Sequence, residues 1–399
     1  MLYNVHAMQR MMMEPLHLAA EAGQMLLEPL AKANLPVRTL HASLELVGRV
    51  TRTYEKPEFG LDVEPDLVME KPFCHLLRFQ ARPGGDPERR FFIAAPLSGH
   101  HATLLRNTVD ALLDHGSVWI TDWLDAGNVP FGEGQFGLDT FTAYLIDFMA
   151  EVSGDRPDKG YHALAVCQPG PSIVSAIALL TESGIGHRPS GLTLISAPMD
   201  VDAAPTEVTR LAQSHPIAWF KRKAIHTVPL SRPGAGRTVY PGFLQLAGFM
   251  ALDPERHAEK HVTLFFDRIA GQHEAAQKTV EFYDEYWSAL DMDSAFYLET
   301  IERVFQQREL VTGKATWRKR AIKPELVTDI GLQTIEGGKD DICAPGQTEA
   351  AHRILSGIPA KARDHHVEPE VGHYGGFAGS RFRRNILPRI LAFSAKQAG

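Results

Sequence analysis

Three residue types in a fixed chain order point to covalent acyl transfer. Cys167 ends the apolar run YHALAVC (161–167) and is followed by Gln168, Pro169, Gly170 and an apolar stretch with helical spacing. A strand, a tight turn and a helix in that order strain the backbone of the residue at the turn. They also push its side chain clear of a sheet. Ala165 and Pro169 stand where strand and helix must approach closely, so the stretch reads as a degenerate G-x-S-x-G box with Ala, Cys and Pro in the key places. Proline suits a first helical turn, whose N–H has no partner to lose. The start of a helix also helps to stabilise a thiolate. A cysteine at a strand end is more often a buried core thiol, so a reactive role for Cys167 depends on partners later in the chain.

Where such a turn carries a nucleophile, an acid and then a histidine come later in the chain. IEGGKDDICAP (335–345) supplies Asp340 and Asp341 just after an expected strand. Asp340 stands where the acid is expected, and Asp341 is expected to cap a helix beginning near Pro345. EVGHYGGFAGS (370–380) supplies His373 between Gly372 and Gly375, in a loop before the last helix. The expected roles are Cys167 as nucleophile, His373 as base and Asp340 as the group that orients the imidazole. Two backbone N–H groups should receive the oxyanion: that of Gln168, and one from AAPLSGHH (94–101), with Ser98 first and Leu97 next. Cys167 would then form a thioester that water, activated by His373, releases.

The elements that must hold these residues alternate. Strands are expected at 74–80, 90–96, 117–123, 161–167, 191–198, 332–338 and 364–372. Helices are expected at 101–116, 138–154, 171–184, 345–357 and 380–397. Short continuous apolar strands between amphipathic helices imply a mostly parallel sheet covered on both faces, an α/β fold. Residues 201–325 break the alternation and are rich in aromatics. They are expected to form a largely helical cap inserted into a core made of 66–200 and 326–399. At least half of those aromatics are expected to fill the cap's own core. Residues 1–65 are expected to form a helical extension, with a second helix from about 37 to 53 and with Pro15, Pro29 and Pro36 punctuating it. Leu2, Val5, Met8, Met12, Leu16 and Ala19 share one stripe. Packing of that stripe on the core is the plain expectation; contact with a lipid-like or polymer surface is the sharper one.

Other features carry less. RPGAGR (232–237) lacks the Gly-Lys-Ser/Thr ending of a phosphate loop. His365 and His366 are adjacent in a strand and face opposite ways, so they cannot jointly hold a metal. They and the pair His100 and His101 are taken as structural or surface residues. No cofactor or metal is expected. A net charge of −7 without a basic run argues against nucleic acid. Three widely spaced cysteines, Cys74, Cys167 and Cys343, fit a reducing, cytoplasmic compartment. Neither a secretory leader nor a membrane span is expected. The oligomeric state is left open, a homo-oligomer included.

PLSGHHATLLR, VCQP, YPGFLQLAGFMALDPERH, EGGKDDI and GHYGGF, taken together, resemble the intracellular polyhydroxyalkanoate depolymerases, over nearly the whole chain. The resemblance implies an α/β-hydrolase fold and a cysteine nucleophile at Cys167, with acid and base at Asp340 and His373. It implies an amorphous poly(3-hydroxybutyrate) granule or its oligomers as substrate, and 3-hydroxy acids and short oligomers as products. Three rivals remain: a polyester synthase or other acyltransferase with the same residues, a non-catalytic granule-coating protein, and a hydrolase of small esters.

Overall fold

In the computed structural model, residues 2–32, 34–154, 160–252 and 254–397 are described; Met1 and residues 398–399, the ends of the expected outer segments, lie outside them. The centre is an eight-stranded sheet. Its strands are β1 (Asp66–Lys71), β2 (Cys74–Phe79), β3 (Asp86–Ala94), β4 (Gly116–Trp123), β5 (His162–Val166), β6 (Gly191–Ile195), β12 (Gly331–Gly337) and β13 (Arg363–Glu368). Between β6 and β12 lie β7 (His226–Thr227), β8 (Thr238–Tyr240), β9 (Met292–Asp293), β10 (Thr316–Trp317) and β11 (Arg320–Ala321). The main order is β1-β2-β4-β3-β5-β6-β12-β13. β1, β2 and β4 pair antiparallel; every other neighbour pair is parallel.

The central parallel strands β5 (HALAV) and β6 (GLTLI) are largely apolar without alternation because helices cover both faces. Every residue of β4, β5, β6 and β12 is buried. The polar residues of β12 have partners, as buried polar groups require. Gln333 accepts from Thr193 and donates to Asp364. Glu336 accepts from the N–H groups of Gly346, Thr348 and Glu349.

The helices up to β6 are α1 (Leu2–Ala31), α2 (Leu35–Thr51), α3 (Arg106–Leu113), α4 (Leu138–Ser153) and α5 (Gly170–Glu182). Those after it are α6 (Glu207–Ser214), α7 (Ile217–Ala224), α8 (Gly242–Leu252), α9 (Pro254–Ala270), α10 (His273–Trp287) and α11 (Ser294–Glu299). Residues 201–325 also contain a small antiparallel sheet, β7-β8-β9, and the β10-β11 hairpin, which the expectation of helix and loop missed. Two arginines of RPGAGR fasten this segment to the loop after β4. Arg237 is buried, pairs with Asp293 at 2.9 Å and donates to Val129 O. Arg232 bridges Asp125 and Asp291.

Several expected elements need correction. α1 runs unbroken through Pro15 and Pro29. Both prolines lie on exposed positions, where water can take the carbonyl that each leaves without a donor. Pro36 does sit in the first turn of α2. The expected helix at 345–357 reduces to turns and a single short helix, Ala351–Ile354, and the strand at 364–372 stops at Glu368.

The apolar stripe of α1 does not pack. Val5, Met8, Met12 and Leu16 are exposed, Met12 by 72%. The packed face carries Tyr3, His6, His17, Ala20, Gly23 and Ala31. Small residues win there because α2 comes close: a Cβ on Gly23 would stand 2.7 Å from Leu44 Cδ1. Tyr3 donates to Asp291 Oδ2, and His6 stacks on Phe243.

Candidate active site

Cys167 follows the last residue of β5 and precedes α5 by two residues. Its φ is +62°, a conformation that costs a non-glycine residue about 1–3 kcal/mol. Two hydrogen bonds hold the turn: Cys167 N–H donates to Ile195 O at 2.8 Å, and Gly170 N–H to Cys167 O at 3.2 Å. Gly170 must be small, since a Cβ there would stand 2.5 Å from the Ala197 Cβ. The thiol is half-buried, unlike the fully enclosed Cys74 and Cys343.

His373 begins a short 3-10 turn, His373–Gly376, after β13. Gly375 leaves room for Val371 beneath it; a Cβ would stand 2.7 Å from that of Val371. The ring is buried, and its Nδ1 lies 2.8 Å from Asp340 Oδ2. Cys167 also acts on the ring electrostatically. Burial alone would push His373 down. Its interactions with Cys167 and Asp340 overturn this, and the imidazole titrates well above its ordinary value.

Asp340 lies three residues beyond β12 and is buried. Burial would raise its carboxyl. The His373 charge, the hydrogen bond to it and the Cys343 N–H outweigh burial and hold it below the usual carboxylate range. Its Oδ1 also accepts from the N–H groups of Ile342 and Cys343 at 3.0 and 2.8 Å. Asp340 therefore organises the turn that Asp341 was expected to cap. Asp341 is exposed, and the cap of the following segment is Glu336.

Two cavities meet here. One, of about 250 Å³, is walled by Cys167, Gln168, Leu97 and Ser98 and roofed by Tyr240, Phe296 and other residues of the 201–325 segment. Its lining is largely apolar, as a site for an apolar ester chain needs. The other, of about 360 Å³, contains His373, Tyr374 and Tyr286, with Arg256, Lys260 and Lys278 at its edge. Phe249 and Ile342 line both. Nine of the fifteen aromatics of residues 201–325 line one of these cavities. Leu97 N–H donates to the Gln168 side-chain oxygen at 3.3 Å, toward the Cys167 turn. Ser98 lines the same cavity.

The remaining histidines stand apart. His100 packs against Phe249 and Tyr286, and burial pushes it down to about 4. His101 is pushed down to about 3 by burial and by Lys56 and His100. Both are interior, so the surface alternative is corrected for them. His366 faces Glu368, whereas His365 faces Thr334, Glu336 and Glu349. Glu336, Glu349 and His365 are close enough to share a cation, but the Glu336 oxygens are already engaged by backbone N–H groups. Sequence reasoning missed Gln245 in the cavity wall. The signal for Gln245 was present: it is the one polar side chain in GFLQLAGFMAL.

The fold is that of the α/β-hydrolases. The chain superposes on a monoglyceride lipase from Saccharomyces cerevisiae with a TM-score of 0.53 at 12% identity, over 86% of this chain and 99% of that one. It is also similar to a monoacylglycerol lipase from Paleococcus ferrophilus (TM-score 0.46, 12% identity, 82% and 100% covered). A thermophilic esterase from Thermogutta terrifontis is a third such structure (TM-score 0.45, 14% identity, 85% and 100% covered). No curated protein matches by sequence. A family model described as PHB de-polymerase C-terminus matches residues 196–398, and the chain belongs to that family. It is accordingly an ester hydrolase of the poly(3-hydroxybutyrate) depolymerase type.

Proposed function

We propose that the protein hydrolyses ester bonds of poly(3-hydroxybutyrate) granules or their oligomers through Cys167, His373 and Asp340. The observation that carries the reading is a strained, half-buried thiol acting on a buried imidazole whose Nδ1 is held by a carboxylate. His373 takes the thiol proton, and the sulfur attacks the ester carbonyl. The tetrahedral oxyanion is received by the Gln168 N–H and by a second backbone N–H of the loop after β3, that of Ser98 or, next, Leu97. Collapse breaks the acyl C–O bond, and His373 gives its proton to the leaving alcohol. A water then loses a proton to His373 and attacks the thioester, releasing the acid and restoring the thiol.

Residues 201–325 act as the cap over the acyl chain, residues 66–200 and 326–399 as the catalytic core, and residues 1–65 as an extension. The exposed methionine and leucine face of α1 is suited to a polymer surface: Met8, Met11, Met12 and Met25 are each more than 60% exposed, and methionine adapts to irregular apolar contacts. Three free cysteines fit a reducing compartment, where storage granules are held. No helix among the described residues is long and apolar enough to cross a membrane.

The test is to incubate the purified protein with amorphous granules, with and without a thiol alkylator, and to identify the products. Free 3-hydroxy acids and short oligomers are expected, and alkylation or Cys167→Ala should abolish their release while the fold persists. Undiminished release by Cys167→Ala would overturn the reading. Polymer formed from a hydroxyacyl-CoA would establish an acyltransferase instead.

A further inference from the structure

Cys167 and His373 line different cavities. The wall around Cys167 holds no aspartate, glutamate, lysine, arginine or histidine among the described residues. The cavity of His373 holds Arg256, Lys260 and Lys278 and one carboxylate, that of Asp341. Arg256 and Lys260 stand one turn apart on one face of α9, and both are exposed. Lys278, on α10, is paired with Glu274 at 2.6 Å. Burial pushes the phenols of Tyr283, Tyr286 and Tyr374 up, and the charge of Arg256 acts against this at all three. That charge is thus felt at Tyr374, the residue after His373 and one on which Cys167 also acts.

A polyester of 3-hydroxy acids has a direction. Each ester has its acyl side toward the hydroxyl end and its alkoxy side toward the carboxyl end. The repeat unit is neutral, so at neutral pH the chain carries one charge, the terminal carboxylate. That group is costly to bring into an apolar cavity and is stabilised beside cations. His373 must reach the oxygen of the leaving alcohol, so the alkoxy side belongs in the cavity that His373 lines. We propose that Arg256 and Lys260 receive the terminal carboxylate there, so that the enzyme works from the carboxyl end of the polyester. The inference rests on the reading of Cys167 as nucleophile toward such an ester. In each cycle the acyl C–O bond breaks, and the thioester forms on the neutral remainder in the apolar cavity. The proton from His373 goes to the oxygen of the short departing fragment, which leaves as a 3-hydroxy acid or its oligomer. Water then cleaves the thioester, and the remainder's new carboxyl loses its proton. Every turnover regenerates the charged end that is recognised.

The test compares a 3-hydroxybutyrate trimer as its free carboxylate with the methyl ester of the same trimer, which is nearly equal in size and uncharged. The wild-type protein is expected to show a kcat/KM at least about fivefold higher for the carboxylate, since more than one cation faces it. Converting the 3-hydroxyl at the other end to its methyl ether should change it less than about twofold, because no charge is lost. Arg256→Gln combined with Lys260→Gln is expected to bring carboxylate and methyl ester within about twofold of each other. A full preference retained by that double variant overturns the inference. If the variant fails to fold, the wild-type comparison decides alone. Equal hydrolysis of both trimers by the wild type, or faster hydrolysis of the methyl ester, overturns the inference and leaves ester hydrolysis standing. Hydrolysis of neither removes the reading of the site, and the inference with it.

Discussion

Two surfaces of this molecule are similarly apolar and differently enclosed. The cavity beside Cys167 is built from aromatic and branched side chains that face one another under the 201–325 segment. The outer face of α1 is built from methionines and leucines that face solvent. Hydropathy does not separate them. What separates them is whether rigid neighbours close over the apolar side: Arg237 and Arg232 fasten a roof onto the cavity, whereas α1 packs through its small and polar residues and leaves its long ones outward. An enclosed surface can position a single chain against a reacting atom, whereas an open one can only adhere to an extended phase.

The largest effect that would sharpen this contrast is at the enclosed site. Asp340→Asn is expected to lower turnover of soluble oligomers by about 10²–10⁴-fold, since the amide cannot support the charged imidazole. Measuring kcat on a 3-hydroxybutyrate oligomer checks it, and a loss below about threefold would detach Asp340 from the chemistry. Next comes the turn itself. Gly170→Val places side-chain atoms against Ala197 and should destabilise the fold by about 1–3 kcal/mol, read as a lowered Tm.

The His373–Asp340 pair also sets a pH window. Asp340 is held below its ordinary value of 3.8, so its contribution to stability is complete above that value and fades as pH falls through the lowered one. His373 is raised above 6.5, so its contribution is complete below 6.5 and fades as pH rises through the raised value. The pair's contribution should be greatest between about 4 and 6.5. Tm against pH for wild type and Asp340→Asn should diverge most in that window; parallel curves would refute the coupling.

The smallest effect belongs to the open face. Replacing Met8, Met12 and Leu16 together by Glu should reduce hydrolysis of granules by several-fold, on the order of 3–10, through lost apolar contact. Rates on soluble oligomers should not move. An equal loss on both substrates would show that α1 serves the fold and not the polymer surface.

Much of the core was legible because β strands buried on both faces leave a nearly continuous apolar signature, and β5 and β6 carry it. The chain order of Cys167, Asp340 and His373 is read from the sequence alone, and each lies in the turn or loop that follows a strand. The stripe of α1 was misread because periodicity shows that a helix has an apolar side and says nothing about where that side points. Pro15 and Pro29 were misread as breaks because water on an exposed face can take the carbonyls they orphan.

By itself, then, the sequence determined what depends on local backbone physics and on burial: which segments are strands, where the turn at Cys167 falls, and which residues have the chemistry to react. Only the tertiary structure decided what depends on distant segments meeting. It brought the His373 nitrogen to 2.8 Å from Asp340, turned the methionines of α1 outward, and set Arg256 and Lys260 at the cavity that His373 lines. Distances between side chains far apart in the chain are set by packing, which no single stretch encodes.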